Sequence, residues 1–276
     1  MPALLAARKK VGEHALAARR RIAVIMPAYN AAATLEKTYR DLPERWADDV
    51  ILVDDASIDG TADIARRLGL HVIVHPRNRG YGGNQKTCYQ AALRRGADIV
   101  VMLHPDYQYD PRRVAALVEP ILSDRADVVL GSRLADGRAL ANGMPLYKYV
   151  ANRFLTALEN LVFRTNHTEL HTGLRAYQRR VLETIPFEQN SDDFVFDSQV
   201  IAQVRHFGFR LAEIPVSARY MPEASSIGLK RSMVYGLQTL LTLARYCLHR
   251  WHLKRSPLFA AEGPKKAPAA AGDVAA

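Results

Sequence analysis

Residues 99–108 read Ile-Val-Val-Met-Leu-His-Pro-Asp-Tyr-Gln: an apolar run from Ile99 to Leu103, followed at once by His104, Asp106 and Gln108. The run fits a buried strand, and the polar residues then sit at its C-terminal end, where open α/β sheets bind ligands. Two earlier stretches are built alike. Ile22-Ala23-Val24-Ile25-Met26 leads into Pro27-Ala28-Tyr29-Asn30, and Val50-Ile51-Leu52 leads into Val53-Asp54-Asp55. Three polar strand ends are therefore expected to converge on one crevice.

Working outward, the pattern predicts strands at 21–27, 50–54, 70–75 and 98–103, with helices at 33–42, 60–68 and 82–95 between them. A helix near 111–122, a strand near 127–131, a long helix near 144–163, a strand near 173–178, a helix near 193–206 and a strand near 210–216 follow. Strands alternating with helices imply an α/β fold with a mostly parallel central sheet flanked by helices on both faces.

With 276 residues, 49% hydrophobic and 8% aromatic, the chain has material for one large core with appendages. Cys88 and Cys247 lack metal-like spacing, which speaks against a disulfide framework or zinc site and fits a reducing cytosol. The formal net charge of +10 is unevenly spread. Residues 1–21 hold six Lys or Arg against Glu13, and residues 228–276 hold eight against Glu262 and Asp273. The remaining 24 basic and 25 acidic residues leave a neutral body. Basic ends on a neutral body suit an anionic membrane surface and disfavour nucleic acid, for which no aromatic-interleaved basic groove is present.

The expected organisation is a basic N-terminal arm over 1–20, a catalytic domain over 21–227, a basic amphipathic helix over 228–255 and a disordered tail over 256–276. In the helix, Met233, Leu237, Leu240, Leu241, Ala244 and Leu248 recur at helical spacing, and Lys230, Arg231, Arg245 and Arg250 bound it. Its uncharged stretch, Ser232 to Ala244, is shorter than the ~20 residues a span requires. The stripe suits either an interface plane or docking on the protein's own core.

Taken together, the Pro-x-Tyr-Asn turn, the Asp-Asp-x-Ser-x-Asp-Gly-Thr turn from Asp54 to Thr61 and the Asp106-x-Gln108 end resemble the nucleotide-sugar-binding half of family 2 glycosyltransferases with the GT-A fold. The likeness continues through Gly131-Ser132-Arg133, His171-Thr172-Gly173-Leu174-Arg175-Ala176-Tyr177 and Ser191-Asp192-Asp193-Phe194-Val195-Phe196-Asp197, so it covers about residues 21–230. Within that family the chain is most similar to bacterial polyprenol-phosphate sugar transferases.

The resemblance implies a nucleotide-diphospho-sugar donor and a divalent cation, Mg²⁺ or Mn²⁺, that neutralises the departing diphosphate. Asp106 and Gln108, two apart on the same side of an extended segment, are the expected metal ligands. His104 stands where the family pattern has another acid; an imidazole adds no negative charge but ligates softer cations. Asp54 and Asp55 are expected to accept hydrogen bonds from the base or ribose, with Pro27 and Tyr29 walling the base and Asn30 completing that turn. Arg79 and Gly80, in the glycine-rich turn 78–84, are expected near the pyrophosphate or base. The plain structural readings of these residues are an Asx-turn, a core tyrosine and a tight loop. Ala31 is a further departure, since many relatives carry an acid there.

Arg133 and Arg175 are expected near an acceptor phosphate, which Arg grips bidentately, although Arg133 could equally pair with a local acid. Ser226, with Lys230 and Arg231 beyond it, resembles the segment that in relatives closes over a phosphate. Of Asp192, Asp193 and Asp197, Asp193 is taken as the catalytic acid-base candidate; the alternatives are a helix cap or a group orienting Arg175. Asp106 and Arg133 complete the catalytic set.

The expected activity is metal-dependent, inverting transfer of a sugar to a lipid-linked acceptor, foremost polyprenyl phosphate, in cell-envelope glycan or glycolipid synthesis, by an enzyme peripheral on the cytoplasmic face of the membrane. The alternatives are transfer to a saccharide hydroxyl in polysaccharide assembly and a nucleotide-sugar-binding pseudo-enzyme.

Overall fold

The computed structural model describes residues 20–220 and 228–260. The N-terminal arm up to residue 19, the segment 221–227 and the tail from 261 lie outside the described residues. Seven strands form one sheet: β1 (Ile22–Ala28), β2 (Asp49–Asp54), β3 (His71–Val74), β4 (Ile99–Met102), β5 (Val128–Ser132), β6 (Arg175–Gln178) and β7 (Leu211–Pro215), in the order β3-β2-β1-β4-β6-β5-β7. The pairs β1–β2, β1–β4, β2–β3 and β5–β7 are parallel, whereas β6 runs antiparallel to both β4 and β5. Six strands thus point one way and bring their C-terminal ends to one edge, where β6 begins with Arg175.

The helices are α1 (Ala32–Arg40), α2 (Thr61–Arg67), α3 (Gly80–Arg94), α4 (Val114–Leu122), α5 (Leu146–Phe163), α6 (Arg179–Thr184), α7 (Phe196–His206) and α8 (Leu229–Arg250). Each strand and helix that hydrophobic periodicity predicts is present within a few residues, and the short α6 is an addition. Along β1 every residue is buried, and alternate side chains enter different cores because strand side chains alternate between faces. Ala23 and Ile25 pack with Ile51, Val100, Tyr89 and Phe196 on one face; Val24 and Met26 pack with Leu35, Leu52, Val101 and Leu117 on the other.

Helix α8 docks through Thr239, Thr242, Leu243 and Tyr246, all buried. Met233, Leu237, Leu240 and Leu241, from the stripe that the sequence singles out, face outward instead. No helix among the described residues is long and apolar enough to cross a membrane.

At the opposite edge of the sheet, buried Asp127 precedes β5 and gathers the chain around it. Its carboxylate accepts from Arg210 N at 2.8 Å, Arg210 Nη2 at 3.0 Å and Arg180 Nη2, tying β5 to β7 and α6. Burial pushes this carboxyl up, but the hydrogen bonds from Arg210 and Arg180 outweigh it and hold it far below the ordinary carboxylate range. A carboxyl depressed on folding stabilises the fold above its unfolded value near ~3.9, and that stabilisation is lost as pH falls toward the folded value. Asp127→Asn is expected to cost about 1–3 kcal/mol at pH 7. In thermal melts its deficit should shrink as pH is lowered through the carboxylate range; a deficit independent of pH would mean the ion pairs are not its source.

Candidate functional site

The C-terminal ends of β1 and β4 border a small open recess lined by Pro27, Tyr29, Asn30, Ala31, Thr34, His104, Pro105 and Asp106. The turn after β1 is held in shape by the turn after β2. Asn30, at φ 51°, donates its N–H to Ser57 Oγ and accepts from Ile58 N, while Ala31 N and Ala32 N donate to Thr61 Oγ1 and Asp59 Oδ2. Thr34 Oγ1 donates to Pro105 O at 2.6 Å, which fixes α1 against the turn after β4. Tyr29, 56% exposed, is left free as a flat wall.

Asp54 and Asp55, adjacent in sequence, have opposite fates. Asp55 is buried and fully engaged: Oδ1 takes His75 Nδ1 at 2.7 Å and Arg79 N at 2.8 Å, and Oδ2 takes Gly80 N at 3.0 Å. Asp54 Oδ2 accepts Ser57 N, but its buried Oδ1 has no hydrogen-bond partner. Such an oxygen is costly to leave unmatched, so Asp54 has capacity for a ligand. Asp55 holds His75 and the backbone of the 79–80 turn, with one donor on Oδ2.

The glycine-rich turn is tied to the same carboxylate. The N–H groups of Arg79 and Gly80 are spent on Asp55 rather than offered to a pyrophosphate, and Arg79 itself is exposed. The glycines instead let α3 approach the 191–192 segment. A Cβ on Gly80, whose φ is 83°, would lie 2.7 Å from Asp192 O, and one on Gly82 would lie 2.3 Å from Ser191 O. Gly82 N donates to Asp192 O at 2.7 Å and Lys86 Nζ to Asp192 Oδ1 at 2.7 Å, which closes this contact.

After β4 the chain turns rather than continuing extended. Tyr107 adopts φ 55°, and Asp106 Oδ1 accepts Gln108 N at 3.0 Å, so a turn and not a strand brings Asp106 and Gln108 together. The strained Tyr107 is held by Lys37 and Arg219, 4.3 and 4.4 Å from its ring centroid, and by its hydroxyl on Asp41. Among the described residues no three His, Cys, Asp or Glu side chains converge as a metal cage. The residues nonetheless fit a hard cation that completes its shell with water and phosphate oxygens. Asp106 lines the recess, and its Oδ2 takes no hydrogen bond from the described residues. Burial lowers the His104 pKa against the pull of Asp106, so the ring beside that carboxylate is neutral near pH 7.

Both arginines face acids of the chain itself, although the two terminal nitrogens of Arg175 have no hydrogen-bond partner. Arg133 is held by buried Glu169, through Nε at 2.9 Å and through its backbone N–H, and it donates to His171 O at 2.7 Å; Asn152 Nδ2 also donates to Glu169. Arg175 is buried and pairs with Asp197 at 3.1 Å. Arg133 thus meets the acid that its alternative reading supposed, and Arg175 faces Asp197, one of the acids weighed as orienting it. Asp193 is exposed, accepts Phe194 N at 2.8 Å and makes no ion pair among the described residues. Ser226 lies outside the described residues.

Sequence reading weighed Asp197 as a group orienting Arg175, but it missed Tyr81, Gln85, Glu159 and Tyr235, which hold the site from behind. Tyr81 OH donates to Asp197 Oδ2 at 2.8 Å, and Gln85 Nε2 donates to Oδ1 at 3.1 Å. His171 meets Glu159 at 2.9 Å and Tyr235 OH at 2.6 Å, joining α5 and α8 to the loop before β6. Only the sequence distance between partners hid them: Tyr81 and Asp197 are 116 residues apart.

A family model described as glycosyl transferase family 2 matches residues 23–186. An uncharacterized protein of Methanocaldococcus jannaschii is 31% identical over 222 residues, covering 80% of this chain and 90% of its own. The undecaprenyl-phosphate mannosyltransferase of Micrococcus luteus is 28% identical over 204 residues, covering 71% and 83%. Glucosyl-3-phosphoglycerate synthase from Mycobacterium tuberculosis, crystallised with Mn²⁺, UDP and phosphoglyceric acid, superposes with a TM-score of 0.66 at 20% identity over 83% of this chain and 79% of that one. That likeness bears out the GT-A architecture.

The unequal duties of the two aspartates predict unequal stabilities. Asp55→Asn, which turns an acceptor into a donor facing N–H groups, is expected to cost about 2–3 kcal/mol, and Gly82→Ala at least about 1 kcal/mol through the backbone clash. Asp54→Asn should melt close to the parent; thermal melts that rank Asp54→Asn below Asp55→Asn would contradict this division.

Proposed function

Because the chain belongs to glycosyl transferase family 2, we propose that it is a metal-dependent, inverting enzyme that transfers a sugar from a nucleotide-diphospho-sugar to polyprenyl phosphate at a membrane surface. The observation that carries the reading is the recess itself. An exposed aromatic wall, Tyr29, a buried unpartnered oxygen on Asp54 and a carboxylate oxygen of Asp106 free of protein donors all lie at the sheet edge. A base stacks on a wall such as Tyr29, and Asp54 Oδ1 accepts a donor hydrogen from base or ribose. A divalent cation held at Asp106, as Mn²⁺ accompanies UDP in the mycobacterial synthase, supplies charge neutralisation to the diphosphate.

The acceptor follows from the relatives' names and from the distribution of acids. The Micrococcus luteus relative acts on undecaprenyl phosphate. A phosphate oxygen is already anionic: it forms the new bond to the anomeric carbon while the bond to the diphosphate breaks and the electron pair leaves with it. No proton needs removing, and positioning carries the rate. The acids around α7 agree with this, since Asp192 and Asp197 are both committed to cations. Asp193 remains the base candidate for the alternative, a saccharide hydroxyl.

Membrane contact has support from two helices rather than one. Leu146, Val150, Phe154 and Leu161 on α5 are 56–76% exposed and recur on the side away from the core. Helices α5 and α8 pack against each other, Gly236 facing Leu155, and Met233, Leu237, Leu240 and Leu241 of α8 are exposed as well. We read these residues, with exposed Trp251 and Leu253 just beyond α8, as one outward apolar plane. The sole acid in either helix, Glu159, is buried on His171, whereas Arg153, Lys230, Arg231, Arg245 and Arg250 are exposed. An apolar plane rimmed by cations fits the interface of an anionic bilayer.

Nucleoside-diphosphate release from UDP-, GDP- and dTDP-sugars should require both polyprenyl phosphate and Mn²⁺ or Mg²⁺, and should stop with a chelator. Asp106→Ala should lower it about 10²–10³-fold. Release with a saccharide acceptor and no lipid would favour the alternative, and tight donor binding without release to any acceptor would mark an inactive binder. In flotation, the protein should rise with anionic but not neutral liposomes, and paired Phe154→Glu and Leu237→Glu should leave it at the bottom while retaining the parent's melting temperature. Flotation unchanged by these substitutions would exclude the plane.

A further inference from the structure

Beyond α8 the chain folds back on the body. His252 adopts φ 59°, and residues 257–259 form a short 3₁₀ turn whose Leu258 and Phe259 are buried in the core that holds Tyr246 and Val204. Gln203 Nε2 of α7 donates to Leu258 O at 2.9 Å, so the segment 251–260 straps the end of α8 to α7. A histidine from each helix meets this strap. His249 Nδ1, on α8, accepts the N–H of Ser256 at 3.1 Å, which it does only with a free lone pair; a proton there sets donor against donor. His206, the last residue of α7, lies with its ring centroid 5.0 Å from that of His249 and 5.2 Å from that of Phe259. Its Nδ1 is buried without a hydrogen-bond partner, so a proton on it is buried unsatisfied. Burial, reinforced by His249 and Arg250, lowers the His206 pKa, and the Phe259 backbone opposes this only in part.

We propose that His206 and His249 form an acid-released latch on the segment 251–260. The charged residues along the joined elements are cationic: Arg205 on α7, Arg250 on α8, and Lys254 and Arg255 in the strap, which also carries His252. On the 187–189 turn, which packs against the 257–259 turn, Glu188 accepts from Gln90 Nε2 at 3.0 Å. Protonating both rings therefore places like charges side by side in a basic neighbourhood. The freed segment leaves both rings open to protons that the docked one excludes, so docking is favoured above the ordinary histidine value of about 6.5 and weakens as pH falls below it. Opening uncovers Leu258 and Phe259, which join exposed Trp251 and Leu253 in one apolar stretch of chain. The latch stands at the C-terminal end of α8 and works whatever sugar or acceptor the crevice takes.

Hydrogen–deuterium exchange of the full chain, at about pH 7.5 and about pH 5.5 and corrected for the intrinsic exchange rate, reads the latch directly. Protection over 251–260 should fall at least about tenfold at the lower pH, while β1 and β4 keep theirs. In His249→Asn the side-chain oxygen still accepts from Ser256 N but no longer titrates, so the fall should be smaller. Combined with His206→Phe, which leaves an aromatic ring against Phe259, it should bring protection to the same level at both pH values. Unchanged protection over 251–260 in the parent, or a loss shared equally by β1 and β4, would overturn the latch. So would a loss as large in His249→Asn as in the parent, or one that persists in the double variant.

Discussion

A guanidinium sealed inside a protein has to be neutralised where it lies, because an unpaired buried charge costs more than most single interactions supply. Arg175 sits at the start of β6, the one strand that runs against the rest, and its counter-ion comes from the first turn of α7. That pairing decides how α7 meets the sheet. Through Asp197 it also reaches Tyr81 and Gln85 on α3, so two helices and the antiparallel strand meet at one carboxylate. The crevice is built on this junction: Tyr81 backs His104, and the close approach of α3 to residues 191–192 leaves room for nothing larger than glycine at position 82.

The architecture was legible because it is written in local periodicity. Apolar runs ending in polar turns gave β1, β2 and β4, and the same runs located the crevice before any contact was known. The direction of β6 was not legible, since a fully buried strand reads alike either way and its sense is set by how the chain returns from α5. At the site, Pro27, Tyr29, Asn30, His104 and Asp106 lie together as their sequence positions implied. Arg133, Arg175, Asp55 and Gly80 were harder to read. Their chemistry suits a phosphate or a nucleotide equally well, and the groups they meet in the fold, Glu169, Asp197 and His75 for the side chains and Asp55 for the Gly80 N–H, are 20 residues or more away in sequence.

Helix α8 shows the same limit from another side. Its outward stripe was visible as periodicity, but the choice between core and solvent rests on the opposite face, where Thr239 and Thr242 are buried among hydroxyl and apolar partners. Two threonines do not announce a core-facing surface. The stripe on α5 was hidden by its length, because an eighteen-residue helix with apolar residues on both sides reads as fully packed.

His171 has consequences for how the outer helices are tied to the rest of the molecule. One ring nitrogen lies 2.9 Å from Glu159 of α5, the other is hydrogen-bonded to Tyr235 of α8 at 2.6 Å, and its own carbonyl accepts from Arg133 just after β5. Three separate parts of the chain thus meet at one residue, and a change of tautomer in that ring is felt on α5 and α8 together.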